Sequence, residues 1–294
     1  MPETRKAQTD MAKQYGIDGF CYWNYWFGGG KTIMEKPLNA IMESGEPDFP
    51  FCLCWANHSW TNPKTKEVIL EQKYLGIEDY KAYFYSLLDV FKDRRYVKLD
   101  DKPIFSIFSP SDIPDFNIFI DVWNNLAKKE GLSKFYFVGI AQTPKEYKAI
   151  YHLKLDAINT IRLKDFLAYR NPLKERIKYI LSDLHDYSYK EALKYFISSE
   201  DIAENIIPTI IPGWDHSPRG GRNSLILTDY TPQAFKEHLE QVFDLVSKKK
   251  NKLCFVKAWN EWGEGNHLEP DLKYGLSFLE TLKVVKEKYL NLCR

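Results

Sequence analysis

The 294-residue sequence lacks a long apolar run, and its charges show no excess of one sign. A membrane-spanning helix needs about 20 mostly apolar residues in a row, so we expect no stable membrane insertion. Lys and Arg (41) nearly balance Asp and Glu (40). This balance gives no electrostatic reason to expect nucleic acid as a partner.

The sequence also lacks a CxxC pair or any Cys/His spacing typical of a metal site, so we expect no metal and no cofactor. The cysteine count is odd, and full pairing is therefore impossible. The five are Cys21, Cys52, Cys54, Cys254 and Cys293. We expect buried free thiols in a reducing compartment. The N-terminus carries no apolar signal-peptide segment, which favours a cytoplasmic protein.

No glycine-rich dinucleotide fingerprint follows any strand, which weakens a doubly wound alternative. Short apolar runs instead alternate with amphipathic ones, as in a parallel sheet covered by helices. Strands are predicted at residues 17–22, 51–55, 103–108, 135–140, 157–160, 206–211 and 253–258. Helices are predicted at residues 2–15, 31–43, 78–91, 115–129, 145–153, 233–249 and 274–289. Between residues 162 and 200 the pattern is ambiguous, and this Tyr-rich stretch reads as only partly helical. We predict a single α/β domain over residues 1–294, a (β/α)8 TIM-type barrel without its first β-strand.

Carboxylates and tryptophans crowd the segment that follows the last predicted strand, where such barrels place their active sites. Cleavage of a glycosidic bond needs one carboxylic acid and one carboxylate. Glu261 and Glu264 are three residues apart and could face one cavity, against an apolar wall of Trp259 and Trp262. We therefore predict Glu261 and Glu264 as the catalytic pair. The alternative is that these glutamates cap the final helix or lie in solvent, and the capping role suits Glu269 and Asp271 well.

Aromatic residues make up 15% of the chain and cluster at strand ends, where rings can stack on sugars. The predicted substrate-binding residues are Tyr22, Trp23, Tyr25, Trp55, Asn57, His58, Trp60, Trp214, Asp215, Asn260, Trp262 and Glu269. Three alternatives stay open: some of the rings belong to the core, the histidine is structural, and Asp215 is a turn residue. Arg162 either binds an anionic group or pairs with a carboxylate.

Three ordered motifs resemble the WbsX family, which is often labelled as glycosyltransferases or lipopolysaccharide biosynthesis proteins and is related to glycoside hydrolase family 99. The motifs are DFPFCLCWAN at 48–57, PGWD at 212–215 and WNEWGEG at 259–265. The resemblance runs from about residue 11 to 274 and implies a (β/α)8 barrel.

By the match to the hydrolase family, Glu261 would assist the sugar 2-hydroxyl in attacking its own anomeric carbon, and Glu264 would be the general acid/base. Gly263 replaces a histidine of that family, so substrate choice can differ from its α-mannosides. Relatives begin with a strand and an aromatic loop that would precede Met1. Against this resemblance, the chain is a fragment, has a miscalled start, or is a divergent member whose barrel closes otherwise. An absent upstream segment could also have carried a signal peptide, which weakens the expectation of a cytoplasmic protein.

The leading hypothesis is a retaining glycosidase or transglycosidase that acts on an oligo- or polysaccharide of the bacterial surface or on lipopolysaccharide. The second is a glycosyltransferase of O-antigen or polysaccharide biosynthesis, although no DxD motif occurs and Asp100-Asp101 is the nearest approach to one. The third is a glycan-binding pseudoenzyme.

Overall fold

The computed structural model describes residues 1–62, 65–181, 185–221 and 224–292. The chain forms two compact units. One comprises Met1–Ala141 with Lys145–Ile158, and the other Gln142–Pro144 with Asn159–Arg294. The assignment of a single domain stays a prediction, and Cys293 lies outside the described residues.

The first unit alternates parallel strands with helices. Its elements are α1 (Pro2–Gln14), β1 (Phe20–Asn24), α2 (Lys36–Ser44), β2 (Phe51–Trp55), β3 (Trp60–Thr61), β4 (Val68–Leu70), α3 (Ile77–Ser86), α4 (Leu88–Lys92), β5 (Lys98–Leu99), β6 (Lys102–Ile107), α5 (Phe116–Lys129), β7 (Tyr136–Ala141) and α6 (Pro144–Ile150). Strands β1, β2, β6 and β7 pair in that order and all in parallel. The pairs β3–β4 and β5–β6 are antiparallel.

Apolar patterning explains these elements. Every residue of β2 and β7 is buried, as expected for parallel strands that are covered on both faces. Helix α5 spaces its buried side chains three or four residues apart, so they share one face. From that face the ring centroid of Trp123 lies 4.7 Å from that of Phe105 and 5.4 Å from that of Phe135. These aromatic contacts hold α5 in the core of the unit.

The second unit continues the alternation. Its elements, with β8 crossing the boundary in sequence, are β8 (Ala157–Thr160), α7 (Pro172–Leu181), β9 (His185–Ser188), α8 (Tyr189–Leu193), β10 (Ile206–Ile210), α9 (Ser217–Gly220), β11 (Leu225–Thr228), α10 (Pro232–Ser247), β12 (Phe255–Val256), β13 (Asn260–Glu261), β14 (Asn266–His267) and α11 (Ser277–Leu292). Strand β10 pairs in parallel with β12, and β9 pairs in parallel with β11. Helices α10 and α11 pack against each other.

A buried ion cluster resolves the two alternatives for Arg162. Its guanidinium donates two hydrogen bonds to Asp201, at 2.7 and 3.1 Å, and Asp201 is fully buried. It also pairs with Asp165 at 3.0 Å and with Glu200 at 2.9 Å. Arg162 therefore pairs with carboxylates, and its charge is satisfied inside the second unit.

The predicted α/β class is confirmed, because each of the seven predicted parallel strands is present among the described residues. The last is shorter than predicted, since only Phe255–Val256 is paired. The described part of the ambiguous region 162–200 forms α7, β9, α8 and two short 3₁₀ segments, the second of which ends at Ile202. Among the described residues no helix has the length and apolarity needed to cross a membrane. Four cysteines are free thiols as predicted, two buried and two partly exposed.

Candidate functional site

The segment after β12 forms a small hairpin that carries both predicted catalytic glutamates. Strands β13 and β14 pair antiparallel, and the 3₁₀ turn Trp262–Glu264 connects them. Gly265 closes the turn with φ +54°, and a Cβ there would lie 2.7 Å from the Cβ of Asp215. The Asp215 N–H also donates to the Glu264 carbonyl at 2.8 Å. Glycine is required because the conformation and the close approach both exclude a side chain.

One guanidinium nitrogen joins the two glutamates. Nη1 of Arg219 lies 3.3 Å from Glu261 Oε2 and 3.1 Å from Glu264 Oε1. The Lys257 ammonium lies 3.7 Å from the other oxygen of Glu264. The Glu264 side chain is only 15% exposed, against 39% for Glu261. The structure therefore brings the predicted pair together beside two cations. The apolar wall of tryptophans stays a prediction.

The sequence predictions missed both cations. Arg219 belongs to the short helix α9 after β10, and Lys257 follows β12 directly. Arg219 lies in the segment after a predicted strand, where such barrels place their active sites, so that rule provides its signal. Lys257 lies within the last predicted strand, residues 253–258. Because Arg219 and Lys257 are cations, their charge makes them partners for the glutamates.

The two tryptophans of the hairpin bind a third glutamate. The indole N–H groups of Trp259 and Trp262 donate to the two oxygens of Glu269, at 3.1 and 2.7 Å. The Trp262 ring stacks on His267 at 3.8 Å between centroids, and its side chain stays 47% exposed. Glu269 therefore fixes the orientation of a half-exposed ring. It does not cap the final helix, because α11 begins only at Ser277.

His267, which stacks on the Trp262 ring, has a carboxylate neighbour. Its Nε2 lies 3.5 Å from Asp271 Oδ2. Burial lowers the pKa of His267 below its ordinary value, and the charge of Asp271 partly opposes that effect. The neutral imidazole is thus favoured beside the Trp262 ring.

Trp214 and Asp215 follow β10 in the same unit. Trp214 is buried, the Lys257 ammonium lies 5.3 Å from its ring centroid, and its Nε1 has no hydrogen-bond partner among the described residues. Oδ1 of Asp215 accepts hydrogen bonds from the Ser217 N–H and hydroxyl, at 2.9 and 2.6 Å. Asp215 thus occupies the turn position that was the alternative to sugar binding.

The structure divides the predicted residues between the two units. The second unit contains Asn260, Glu261, Trp262, Glu264, Glu269, Trp214 and Asp215. Asn260 is exposed on the hairpin. The first unit contains Tyr22, Trp23, Tyr25, Trp55, Asn57, His58 and Trp60.

Two predicted sugar-binding residues of the first unit are buried, and their side chains are hydrogen-bonded inside the protein. Trp55 is buried and donates its indole N–H to the Trp26 carbonyl at 3.1 Å. Asn57 is also buried; its amide donates to the Tyr74 hydroxyl and the Ser109 carbonyl, and its oxygen accepts from the Ser109 N–H. Neither side chain can offer these groups to a sugar without giving up existing bonds.

The remaining rings of the first unit lie in separate aromatic contacts. The Trp60 and Tyr25 rings pack edge-on with their centroids 5.6 Å apart. The half-exposed Trp23 ring packs edge-on against Phe108, with 5.4 Å between centroids. The His58 ring lies 5.0 Å from the same Phe108. Burial lowers the pKa of His58, and for Tyr22 burial raises the pKa to about 12. The predicted sugar-binding role of these residues stays a prediction.

We expect Asn57→Ala to lower the free energy of unfolding by about 2–4 kcal/mol, because it leaves buried partners unsatisfied. Denaturant unfolding measures this change. Asn39→Ala, on the exposed side of α2, is the control and should change stability by less than about 0.5 kcal/mol. Equal effects of the two substitutions would contradict the anchoring role of Asn57.

No group of His, Cys, Asp and Glu in the described part of the chain is arranged to hold a metal ion. The expectation that the protein needs no metal stays a prediction.

The family and sequence comparisons agree with one another. The family model described as glycosyltransferase WbsX matches residues 1–282. Two relatives described as uncharacterized protein WxcX come from Xanthomonas campestris pv. campestris, strains B100 and ATCC 33913, and are 22% and 23% identical. Each alignment covers 96% of this chain but 41% of the relative. The chain thus spans about two fifths of the length of these curated relatives.

Solved structures share the fold. A glycoside hydrolase-like protein matches with a TM-score of 0.62 at 16% identity, over 98% of this chain and 86% of that chain. The GH99 endo-α-mannosidase of Bacteroides thetaiotaomicron matches with a TM-score of 0.59 at 13% identity, over 99% and 80%. At such identities the likeness concerns the fold alone, and it confirms the predicted (β/α)8 class.

Proposed function

The chain belongs to the glycosyltransferase WbsX family, and on this premise we propose a carbohydrate-active enzyme that retains configuration at the anomeric carbon. Its substrate is a cell-surface polysaccharide or lipopolysaccharide, and Glu261 and Glu264 carry the reaction. The bridge from Arg219 to both glutamates is the observation that supports this proposal most directly.

The bridge limits the distance between the two carboxylates. Because one nitrogen lies 3.3 Å from the first oxygen and 3.1 Å from the second, these oxygens are at most about 6.4 Å apart. Both oxygens can therefore reach one sugar residue, one at its 2-hydroxyl and the other at the departing oxygen, as the proposed reaction requires. Two successive displacements at the anomeric carbon, the first by the sugar's own 2-oxygen, give net retention.

The proposed roles follow the family resemblance. Glu261 takes the proton of the sugar 2-hydroxyl, whose oxygen attacks the anomeric carbon while Glu264 protonates the departing oxygen. Glu264 then takes a proton from a water or acceptor hydroxyl, whose oxygen opens the anhydro ring, and Glu261 returns its proton to the 2-oxygen. Water gives hydrolysis, whereas a sugar hydroxyl gives transfer.

Trp262 is suited to hold the sugar. Its ring is half-exposed, and both Glu269 and His267 fix its orientation. A rigid, exposed ring beside two carboxylates offers a stacking surface for a sugar at low entropic cost.

A glycosyltransferase that uses an activated donor is the second candidate, because the family description names that activity. Asp100 and Asp101, the nearest approach to a DxD motif, form the turn between β5 and β6 with φ +48° and +64°. Metal-dependent binding of a nucleotide sugar would favour this candidate.

The test incubates the wild-type protein with aryl α-glycosides, α-mannosides included, and with bacterial surface polysaccharides. NMR follows the configuration of the first-formed product. We expect retention. Inverted product would overturn the proposed mechanism, and glycan binding without turnover by the folded protein would identify a binding protein instead.

A further inference from the structure

Among the ionic groups that contact Glu264 or share Arg219 with it, positive and negative charges are equal in number only while Glu264 is ionised. Arg219 and Lys257 supply two positive charges, and Glu261 and Glu264 supply two negative ones. The Lys257 side chain is 19% exposed. Such a partly buried cation is costly to leave without a counter-charge.

The proposed reaction disturbs this balance. A general acid must carry a proton before it can donate one. Once Glu264 is protonated, Arg219 and Lys257 share only the charge of Glu261. One positive charge is then unmatched in the substrate complex.

Arg219 has free capacity to bind an anion. Its side chain is 60% exposed, and among the described residues only its Nη1 has hydrogen-bond partners. The guanidinium carries five N–H donors in a planar fork, so its outer edge can bind a carboxylate or phosphate with two bonds. Lys257 adds a second cation 3.7 Å from Glu264.

We propose that the substrate carries an acidic group, a carboxylate or a phosphate ester, that pairs with Arg219 and Lys257 next to the reacting bond. This proposal rests on the proposed function, because it takes Glu264 as the proton donor. The acidic group supplies the counter-charge that Glu264 loses on protonation. The enzyme thereby prefers acidic glycans to neutral ones, since a neutral glycan leaves the cation unmatched.

A binding experiment tests this without requiring turnover. Glucuronate and inorganic phosphate are titrated at constant ionic strength, with glucose as the neutral control, and calorimetry or NMR follows binding. Glu264→Gln imitates the protonated acid and should bind an anion about tenfold more tightly than wild type. Adding Arg219→Gln to that variant should weaken binding by at least about tenfold. Arg170→Gln is the matched control, because Arg170 also bridges two glutamates in the second unit.

The outcomes separate the two proposals. Tighter glucuronate binding identifies a carboxylate, and tighter phosphate binding identifies a phosphate. Anion binding that the Arg219 substitution leaves unchanged, or that Glu264→Gln does not strengthen, would overturn the acidic-substrate proposal. Turnover of neutral glycans without anion binding would do the same and leave the proposed function intact. Anion binding through Arg219 without turnover of any glycan would support the subsite and contradict the enzyme.

Discussion

Glu264→Gln is expected to lower kcat by about 10²–10⁴-fold, because the amide cannot donate or accept the proton that the reaction requires. The loss should depend on the leaving group. A dinitrophenyl glycoside needs little protonation of its departing oxygen, so its cleavage should suffer less than that of a natural linkage. Steady-state kinetics on both substrates measures the difference.

Glu261→Gln should behave differently, because the 2-hydroxyl must lose its proton whatever the leaving group is. We expect a similar loss of kcat on both substrates. Glu191→Gln is the matched control, since Glu191 is an exposed carboxylate that also pairs with an arginine in the second unit. Activity that survives at wild-type level in either hairpin variant would rule out the paired-glutamate mechanism.

Asp201→Ala is expected to lower the free energy of unfolding by about 3–5 kcal/mol. Asp201 is fully buried and accepts hydrogen bonds from Arg162, from the Thr160 hydroxyl at 2.8 Å and from the Ser198 N–H at 2.7 Å. The substitution removes the main counter-charge of a buried guanidinium and leaves the other donors unsatisfied. Chemical denaturation followed by circular dichroism measures the change.

Glu200→Gln provides the comparison on the same arginine. The Glu200 side chain is 49% exposed, so water screens its charge and replaces its bonds. We expect a loss of less than about 1 kcal/mol. Equal losses at positions 200 and 201 would show that burial of the carboxylate does not control the strength of this cluster.

Apolar patterning was sufficient to predict the strands, because a parallel strand that is buried on both faces must be apolar along its length. Strand β7 is the clearest case, with all six residues buried. The ambiguous region had no such pattern. Strand β9 reads His-Asp-Tyr-Ser, and only its pairing with β11 makes it a strand.

The chemical type of a side chain was a weaker guide to the candidate site than apolar patterning was to the strands. Asn57 was chosen because amides bind sugar hydroxyls, but the same amide serves equally well to join two loops. Its partners lie 17 and 52 residues away. Only the folded chain shows that both hydrogen-bonding ends of this side chain are already occupied.

The sequence by itself determined the alternation of strands and helices and the position of Glu261 and Glu264 beyond the last predicted strand, because apolar period and residue spacing are local properties. The tertiary structure alone decided the partners of each charge. Arg219 reaches the glutamates across 42 and 45 residues, and Arg162 reaches Asp201 across 39. Electrostatic pairing depends on distance in space and on burial, and the spacing of residues along the chain determines neither quantity.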